Sequence, residues 1–359
     1  MIDALLLEGV EKAVRRFVPM RVDDPVIRVM LAAILANFVP DRDCSLWLVF
    51  VGNSISSRAD LPRLLSGWPR ALKLASRKNL AKLTVAGDPQ MIWARDLMQL
   101  QPTDTKQAPG FRQRLTAIYD QAHVGMITSA GSQFYRWKAR HEELEGRFLA
   151  YWTEPLFEGF DPAGRRRVDE QRTESAHWLP HAAGALQRFL ELAIADIHSY
   201  DAIKLTEQQR KRLAAAVTFV QAALAAVPEA IGRDLFHHTQ TVARLMAFIA
   251  GSVSVTETDM HVAIQLVLSQ VPVNLRHVTQ YALAREGSWL RRDCYVATGL
   301  TRRIGERILE ALDDLGWIDS QSVAGDGPRL HGMKYKASDR ARALSRAVWG
   351  NDGEGVSHG

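Results

Sequence analysis

The segment Gly52-Asn53-Ser54-Ile55-Ser56-Ser57-Arg58-Ala59 has the length and setting of a phosphate-cradling loop. Such a loop follows a buried strand, precedes a helix and reads G-x-x-x-x-G-K-[ST]. Its amides hold the phosphates, its lysine neutralises them and its hydroxyl binds Mg2+. Here Ser57 stands at the second glycine, Arg58 at the lysine and Ala59 at the hydroxyl. The alanine removes a metal ligand, and a side chain at position 57 crowds the tight turn. Arg58 could meet a phosphate, but a long planar fork does not replace a compact ammonium. A second signal, Met91-Ile92-Trp93-Ala94-Arg95-Asp96, is a short apolar run leading to one acid. Leu97 follows it where a second, water-orienting acid would stand. Two readings stay open: a plain strand–turn–helix connection with Asp96 as an ordinary strand-end residue, or a relic phosphate loop that has lost catalysis.

Basic residues gather in two further places. Thr301, Arg302 and Arg303, with Arg307 one turn on, open a helix, and Arg329, His331, Lys334 and Lys336 fall on a hairpin after it. In a winged helix the second helix of a helix–turn–helix enters the major groove by its amino-terminal residues, and the hairpin meets phosphate. Such units also dock proteins, and that alternative stays open. Phe134-Tyr135-Arg136-Trp137-Lys138 interleaves aromatic and basic side chains. That composition suits stacking on single-stranded bases, with Arg136 and Lys138 following the backbone. The alternative is a hairpin whose aromatics pack on the core. The histidine pairs His177/His181, His237/His238 and His261/His277 lack a third ligand or a general-base glutamate, so no metal site is expected. There is no G-x-S-x-G elbow and no supported Cys–His arrangement for nucleophilic catalysis.

The elements that must position these residues are legible in outline. Residues 1–40 read as two amphipathic helices, ended by Pro40 and a polar turn. Leu46 to Val51 is a continuous apolar run, the mark of a strand buried on both faces of a parallel sheet. Short strands are expected at Ala71–Ala75 and Met91–Ala94, a helix over Arg112–Tyr119, and a β-hairpin over Val124–Lys138 around Ser129-Ala130-Gly131. Residues 157–175 read as a polar connector, and helices dominate from 177 to 285. Thr256 followed by Glu257-Thr258-Asp259 is a helix N-cap with acids in the first turn. The unit at 287–347 has helix–turn–helix–hairpin grammar, with Ile304, Ile308, Leu309, Leu312 and Leu315 expected on the apolar face of its second helix.

The order of these pieces resembles an AAA+ ATPase of the minichromosome-maintenance (MCM)-like type found in phages and mobile elements. Helices lead to LWLVFVG, the degenerate phosphate loop follows, FRQRLTAIYDQ precedes the expected hairpin, and HEELEGRFLAYWTEP ends the core. The resemblance spans about residues 20–345 and rests on layout, since no single motif is intact. It implies an α/β P-loop-like core with a parallel sheet, a helical lid and a C-terminal winged-helix domain, helix-rich overall. The boundaries it implies are 1–40 for N-terminal helices, 41–156 for the core, 157–286 for the lid, 287–347 for the winged helix and 348–359 for a disordered tail. It places Gly52, Arg58 and Ala59 at the Walker A glycine, lysine and hydroxyl, and Asp96 at the Walker B acid. Arg147 in GRFLAYW resembles an arginine offered to a neighbouring subunit's nucleotide, and Arg233 in IGRDLFHH resembles a sensor-2 arginine. The departures are the lost lysine and hydroxyl, the incomplete acid pair and the lack of a sensor-1 strand between the hairpin and GRFLAYW.

With 47% hydrophobic and 24% charged residues the chain is of ordinary globular composition, which excludes disordered, collagen-like and coiled-coil classes. Lys and Arg exceed Asp and Glu by 45 to 40, so an anionic partner is permitted by placement of charge and not by its total. Cys44 and Cys294 cannot form a disulfide framework. No apolar run is long enough to span a bilayer, and the N-terminus is not a signal peptide. The expectation is therefore a cytoplasmic, DNA-associated protein, binding duplex and also single-stranded DNA, that has lost ATP hydrolysis. It would act as a binding or scaffolding subunit, in replication, mobility or defence of a mobile element, with a protein partner or as a homo-oligomer. No cofactor is expected unless the degenerate site still takes ATP and Mg2+. The alternatives are a diverged active ATPase or helicase and a winged-helix transcriptional regulator.

Overall fold

A computed structural model of the chain describes residues 4–18, 25–40, 45–52, 57–74, 90–100, 108–120, 124–131, 133–138, 147–153, 170, 173, 176–224, 229–285, 287–324 and 331–349. These residues divide between two compact units, Met1–Leu205 with His237–Leu266, and Thr206–Phe236 with Val267–Gly359. Much of the expected polar connector at 157–175, the hairpin tip with Arg329 and the tail from 350 lie outside the described residues.

The first unit is built on a five-stranded, wholly parallel sheet of order β2-β3-β4-β1-β5. Its strands are β1 (Trp47–Gly52), β2 (Ala71–Lys73), β3 (Gln90–Ala94), β4 (Val124–Gly131) and β5 (Phe148–Trp152). β1 is buried along its whole length, as an apolar run without alternation requires. Its Trp47 donates from Nε1 to the Val124 carbonyl at 2.8 Å and packs on Phe148 at 5.1 Å between ring centres. Two helices precede it, α1 (Ala4–Phe17) and α2 (Val26–Leu35). In α2 only Arg28 is not buried, and its Nε donates to the buried Glu11 of α1 at 2.8 Å. Buried Asn37 joins α2 to β1: its Nδ2 donates to the Ala33 and Leu46 carbonyls, and its Oδ1 accepts the Leu46 amide at 2.7 Å.

The segment expected as a hairpin is two different elements. Val124–Gly131 is a single strand between β3 and β1, and Gln133–Lys138 is a short helix, α4. The sequence Val-Gly-Met-Ile-Thr-Ser-Ala-Gly looks half-polar because it holds Thr128 and Ser129, yet both are buried. The Ser129 hydroxyl donates to the Arg95 carbonyl, which satisfies a polar group that sequence patterning assigns to solvent. Phe134, Tyr135 and Trp137 turn inward from α4 onto Phe148 and Trp152, so the aromatic run belongs to the core. Helix α3 (Ala108–Tyr119) lies before β4.

Beyond the sheet this unit adds α5 (Leu179–Ala195), with Arg16 of α1 over the Trp178 ring before it at 5.0 Å. It also holds most of α7 (Glu229–Ile249) and α8 (Glu257–Leu268). Arg244 of α7 donates to the Ile203 carbonyl at 2.6 Å and lies over the Tyr200 ring. The Thr256 cap forms with its reciprocal partner: Asp259 accepts the Thr256 amide, and the Thr256 hydroxyl accepts the Asp259 amide.

The second unit gathers α6 (Glu207–Leu224), α9 (Val273–Ala284), β6 (Trp289–Leu290), α10 (Arg291–Thr298), α11 (Arg302–Asp314), β7 (Ile318–Ala324), β8 (His331–Ala337) and α12 (Asp339–Trp349). The three strands pair antiparallel in the order β6-β8-β7. Trp289 of β6 stacks on Tyr335 of β8 and meets Tyr281 of α9 edge-on, joining sheet and helix. Trp349 at the end of α12 packs edge-on against Phe219 of α6 at 4.9 Å.

Candidate functional site

In the first unit Gly52 and Asp96 lie at or just after the carboxyl ends of β1 and β3, whereas Arg147 precedes β5 at the amino end of the parallel sheet. Gly52 ends β1 beside Gly131 at the end of β4, and the connections after these two strands run in opposite directions across the sheet. Open parallel sheets place ligands at such a point. Residues 53–56 lie outside the described residues, as do the side chains of Ser57, Arg58 and Ala59. The element that follows is a nine-residue 3-10 helix, Ser57–Leu65, with Pro62 inside it. Its 3-10 hydrogen-bond geometry makes it a poorer anion-facing terminus than an α-helix.

Several neighbouring polar groups among the described residues are engaged within the unit. Asp60, buried on that 3-10 helix, lies 3.3 Å from Arg95 and 3.6 Å from Arg63. Asp96 is half-buried, and its Oδ1 accepts the Met98 amide at 2.8 Å, capping the short turn Met98–Leu100. Thr153 donates both its amide and its hydroxyl to the Val51 carbonyl, at 2.7 and 3.0 Å. Arg147 precedes β5 and is held within its own unit: Nη1 donates to Asp120 at 2.6 Å and to the Thr116 carbonyl at 3.3 Å, with the guanidinium 4.8 Å from the Tyr119 ring centre. Arg233 is helical in α7, and its side chain lies outside the described residues. Among the described residues no trio of His, Cys, Asp and Glu is placed to hold a metal ion.

The expected single-strand contacts separate. Lys138 is buried on α4, so it does not line an open hairpin, and the side chain of Arg136 lies outside the described residues.

In the second unit α10 and α11 meet across a tight corner. Gly299 ends α10 in the left-handed region at φ 64°, where a side chain would be strained. Buried Gly305 lets the helices close, because a Cβ there would overlap the Tyr295 ring. Leu309 and Leu312 complete the inner face of α11, whereas Ile304 is 49% and Leu315 41% exposed. The apolar face of α11 is thus narrower than its sequence pattern indicates.

Three arginines open α11 in different states. Arg302 donates from Nε to Glu306 at 2.9 Å, and Glu306 also accepts Arg291 Nη1 at 2.6 Å. Arg291 in turn donates to the Tyr335 hydroxyl at 3.2 Å, so α10, α11 and β8 share one polar joint. The hydrogen bond from Arg302 holds the Glu306 carboxyl below its ordinary value, and the same bond raises Arg302. Arg303 and Arg307 are exposed, and neither forms an ion pair among the described residues. Thr301 is exposed beside them at the N-cap. Lys334 and Lys336 project from the exposed side of β8, opposite Gln321 and Asp319 of β7, while Tyr335 between them points inward. The Ser320 amide of β7 donates to Asp313 Oδ1 of α11 at 3.1 Å. Burial pushes the Tyr295 hydroxyl up to about 12 and the Cys294 thiol up to about 11, so both stay neutral.

Glu306, Arg291, Tyr335 and Gly305 were not singled out by sequence reasoning. Glu306 carried a usable signal, standing four residues after Arg302 on a helix. Arg291 and Tyr335 carried none, because their meeting depends on the return of β8.

No protein-family model matches the sequence, and no curated protein matches it. Among solved structures the chain is similar to a full-length MCM homolog from Methanopyrus kandleri, with 15% sequence identity and a TM-score of 0.45. The match covers 76% of this chain and 62% of that one, so the chain spans less than two thirds of its neighbour's length. No helix among the described residues is long and apolar enough to cross a membrane.

Proposed function

We propose that this chain is a DNA-binding protein whose second unit is a winged helix and meets duplex DNA through the amino-terminal half of α11. The observation that carries the reading is the state of Arg303 and Arg307: two exposed guanidinium groups, one turn apart, without an ion-pair partner among the described residues. Free arginines at the start of the second helix are where a duplex phosphate or a guanine edge is reached. Lys334 and Lys336 on β8 add phosphate contacts from the same unit. Arg302 contributes less, since Glu306 already neutralises it.

The first unit acts in this proposal as a nucleotide-fold core without hydrolysis. Ala59 offers no metal ligand, Leu97 supplies no water-orienting acid, and the Asp96 carboxylate is spent on a turn amide. The protein then serves as a binding or scaffolding subunit, alone or with a protein partner, of the kind a mobile element uses in replication, mobility or defence.

Fluorescence anisotropy with labelled duplex and single-stranded DNA over a salt series tests the central claim. Arg303→Ala/Arg307→Ala is expected to weaken duplex binding at least tenfold and to flatten the salt slope by about 2, the release of two counterions. Arg302→Ala should change it less. Unchanged binding in the double variant would remove the contact from α11.

A further inference from the structure

The outward face of α11 is not uniform. At 100° per residue the buried positions Gly305, Leu309 and Leu312 define its inner side, and Arg303, Arg307, Glu310 and Asp314 follow one another along the opposite side. The charge reverses along that line, basic in the first half of the helix and acidic in the second. Ile304 sits in the basic half, three residues before Arg307 and beside it on the surface. It is 49% exposed, although a branched apolar side chain of this size is ordinarily buried. The arrangement is an apolar knob flanking two guanidinium groups that have no ion-pair partner among the described residues, with the carboxylates of the outward face kept to the far half.

A surface complementary to this has anionic oxygens around a small apolar group. The major groove of duplex DNA at a thymine has that character: phosphates line the rims, base acceptors lie on the floor, and the 5-methyl group projects from it. Resting on the DNA-binding reading above, we propose that Ile304 is a base-reading residue that packs on a thymine 5-methyl group, with Arg303 and Arg307 engaging the flanking phosphates or a neighbouring guanine. The reach into the groove is limited to the first half of the helix, because Glu310 and Asp314 would meet phosphate with like charge.

The test uses the full chain. Duplexes are enriched from a random pool by the wild-type protein, and each thymine of the tightest duplex is replaced in turn by deoxyuridine, which removes only the 5-methyl group. At one position or more the wild type is expected to lose about fourfold in affinity, the worth of one buried methyl-sized group. Ile304→Ala should bind the thymine and uracil forms alike, and Ile304→Val should keep part of the difference. Since position 304 is half-exposed, helix content by circular dichroism is expected to be unchanged in both variants. Equal wild-type affinity for the two forms overturns the assignment while duplex binding itself stands, and so does a difference that survives in Ile304→Ala. A wild-type dimer that Ile304→Ala converts to a monomer in sedimentation overturns it too, by giving the isoleucine to a second copy of the chain. Failure of every duplex to bind, with Arg303→Ala/Arg307→Ala without effect, brings down the DNA-binding reading and this inference with it.

Discussion

At the scale of single residues, Glu306 decides which arginine is available. Its carboxylate accepts from Arg291 and Arg302 together, and the Arg291 guanidinium reaches Tyr335 on the sheet. Because the hydrogen bond from Arg302 depresses the Glu306 carboxyl, the folded state binds this proton less readily than the unfolded chain. The stabilisation is present above the ordinary carboxylate range and is lost as pH falls through the lower folded value. Glu306→Gln is therefore expected to lower the melting temperature at neutral pH and to lose that deficit only as the pH falls below the lowered value of the folded carboxyl, where the wild-type carboxylate is also protonated. Melting curves over pH 3–7 check this (a range set by the ordinary carboxylate value, about 4.3). A constant difference across the range would show that Glu306 acts by packing alone. Asp96 follows an apolar strand, and its Oδ1 accepts the Met98 amide as a turn cap does.

At the scale of elements, the joint between α10 and α11 depends on one missing Cβ. Gly305→Ala would press a methyl group into the Tyr295 ring, and relief requires the ring or the helices to shift. The expected cost is about 1–3 kcal/mol, the usual range for overpacking, read as a shift in the urea midpoint with an unchanged slope. The same elements show what a sequence discloses. β1 was legible because an unbroken apolar run has one economical use, burial on both sheet faces. The helix–turn–helix and following hairpin were legible because turn residues and a helical apolar spacing coincide. β4 was not. A strand at the centre of a parallel sheet buries Thr128 and Ser129; the Thr128 hydroxyl donates to the adjacent Ser129 carbonyl and the Ser129 hydroxyl to the Arg95 carbonyl after β3, so alternation misreports its environment. With β4 misread, the aromatic run after it was placed on a hairpin, with base stacking or core packing left open, and Lys138 was set along a DNA backbone. The exposure of Ile304 was equally hidden, since its spacing alone places it on the apolar stripe.

At the scale of the whole molecule, two compact units divide the chain, and the proposal gives them separate work: DNA contact in one and a nucleotide-like core in the other. A core without hydrolysis predicts no phosphate release above background with Mg2+ and ATP, in the presence or absence of duplex DNA, in an assay of the full chain. DNA-stimulated release would instead establish a working ATPase with Arg58 in the place of lysine. The sheet of the second unit carries a last consequence. β7 is its edge, and an edge strand ordinarily offers rows of amides to any passing strand. In this chain the Ser320 amide is occupied by Asp313 from α11, and its hydroxyl is held by the same carboxylate. α11 thus takes up one outward amide of its own sheet's edge, and a strand approaching β7 from another copy would find the Ser320 position already satisfied.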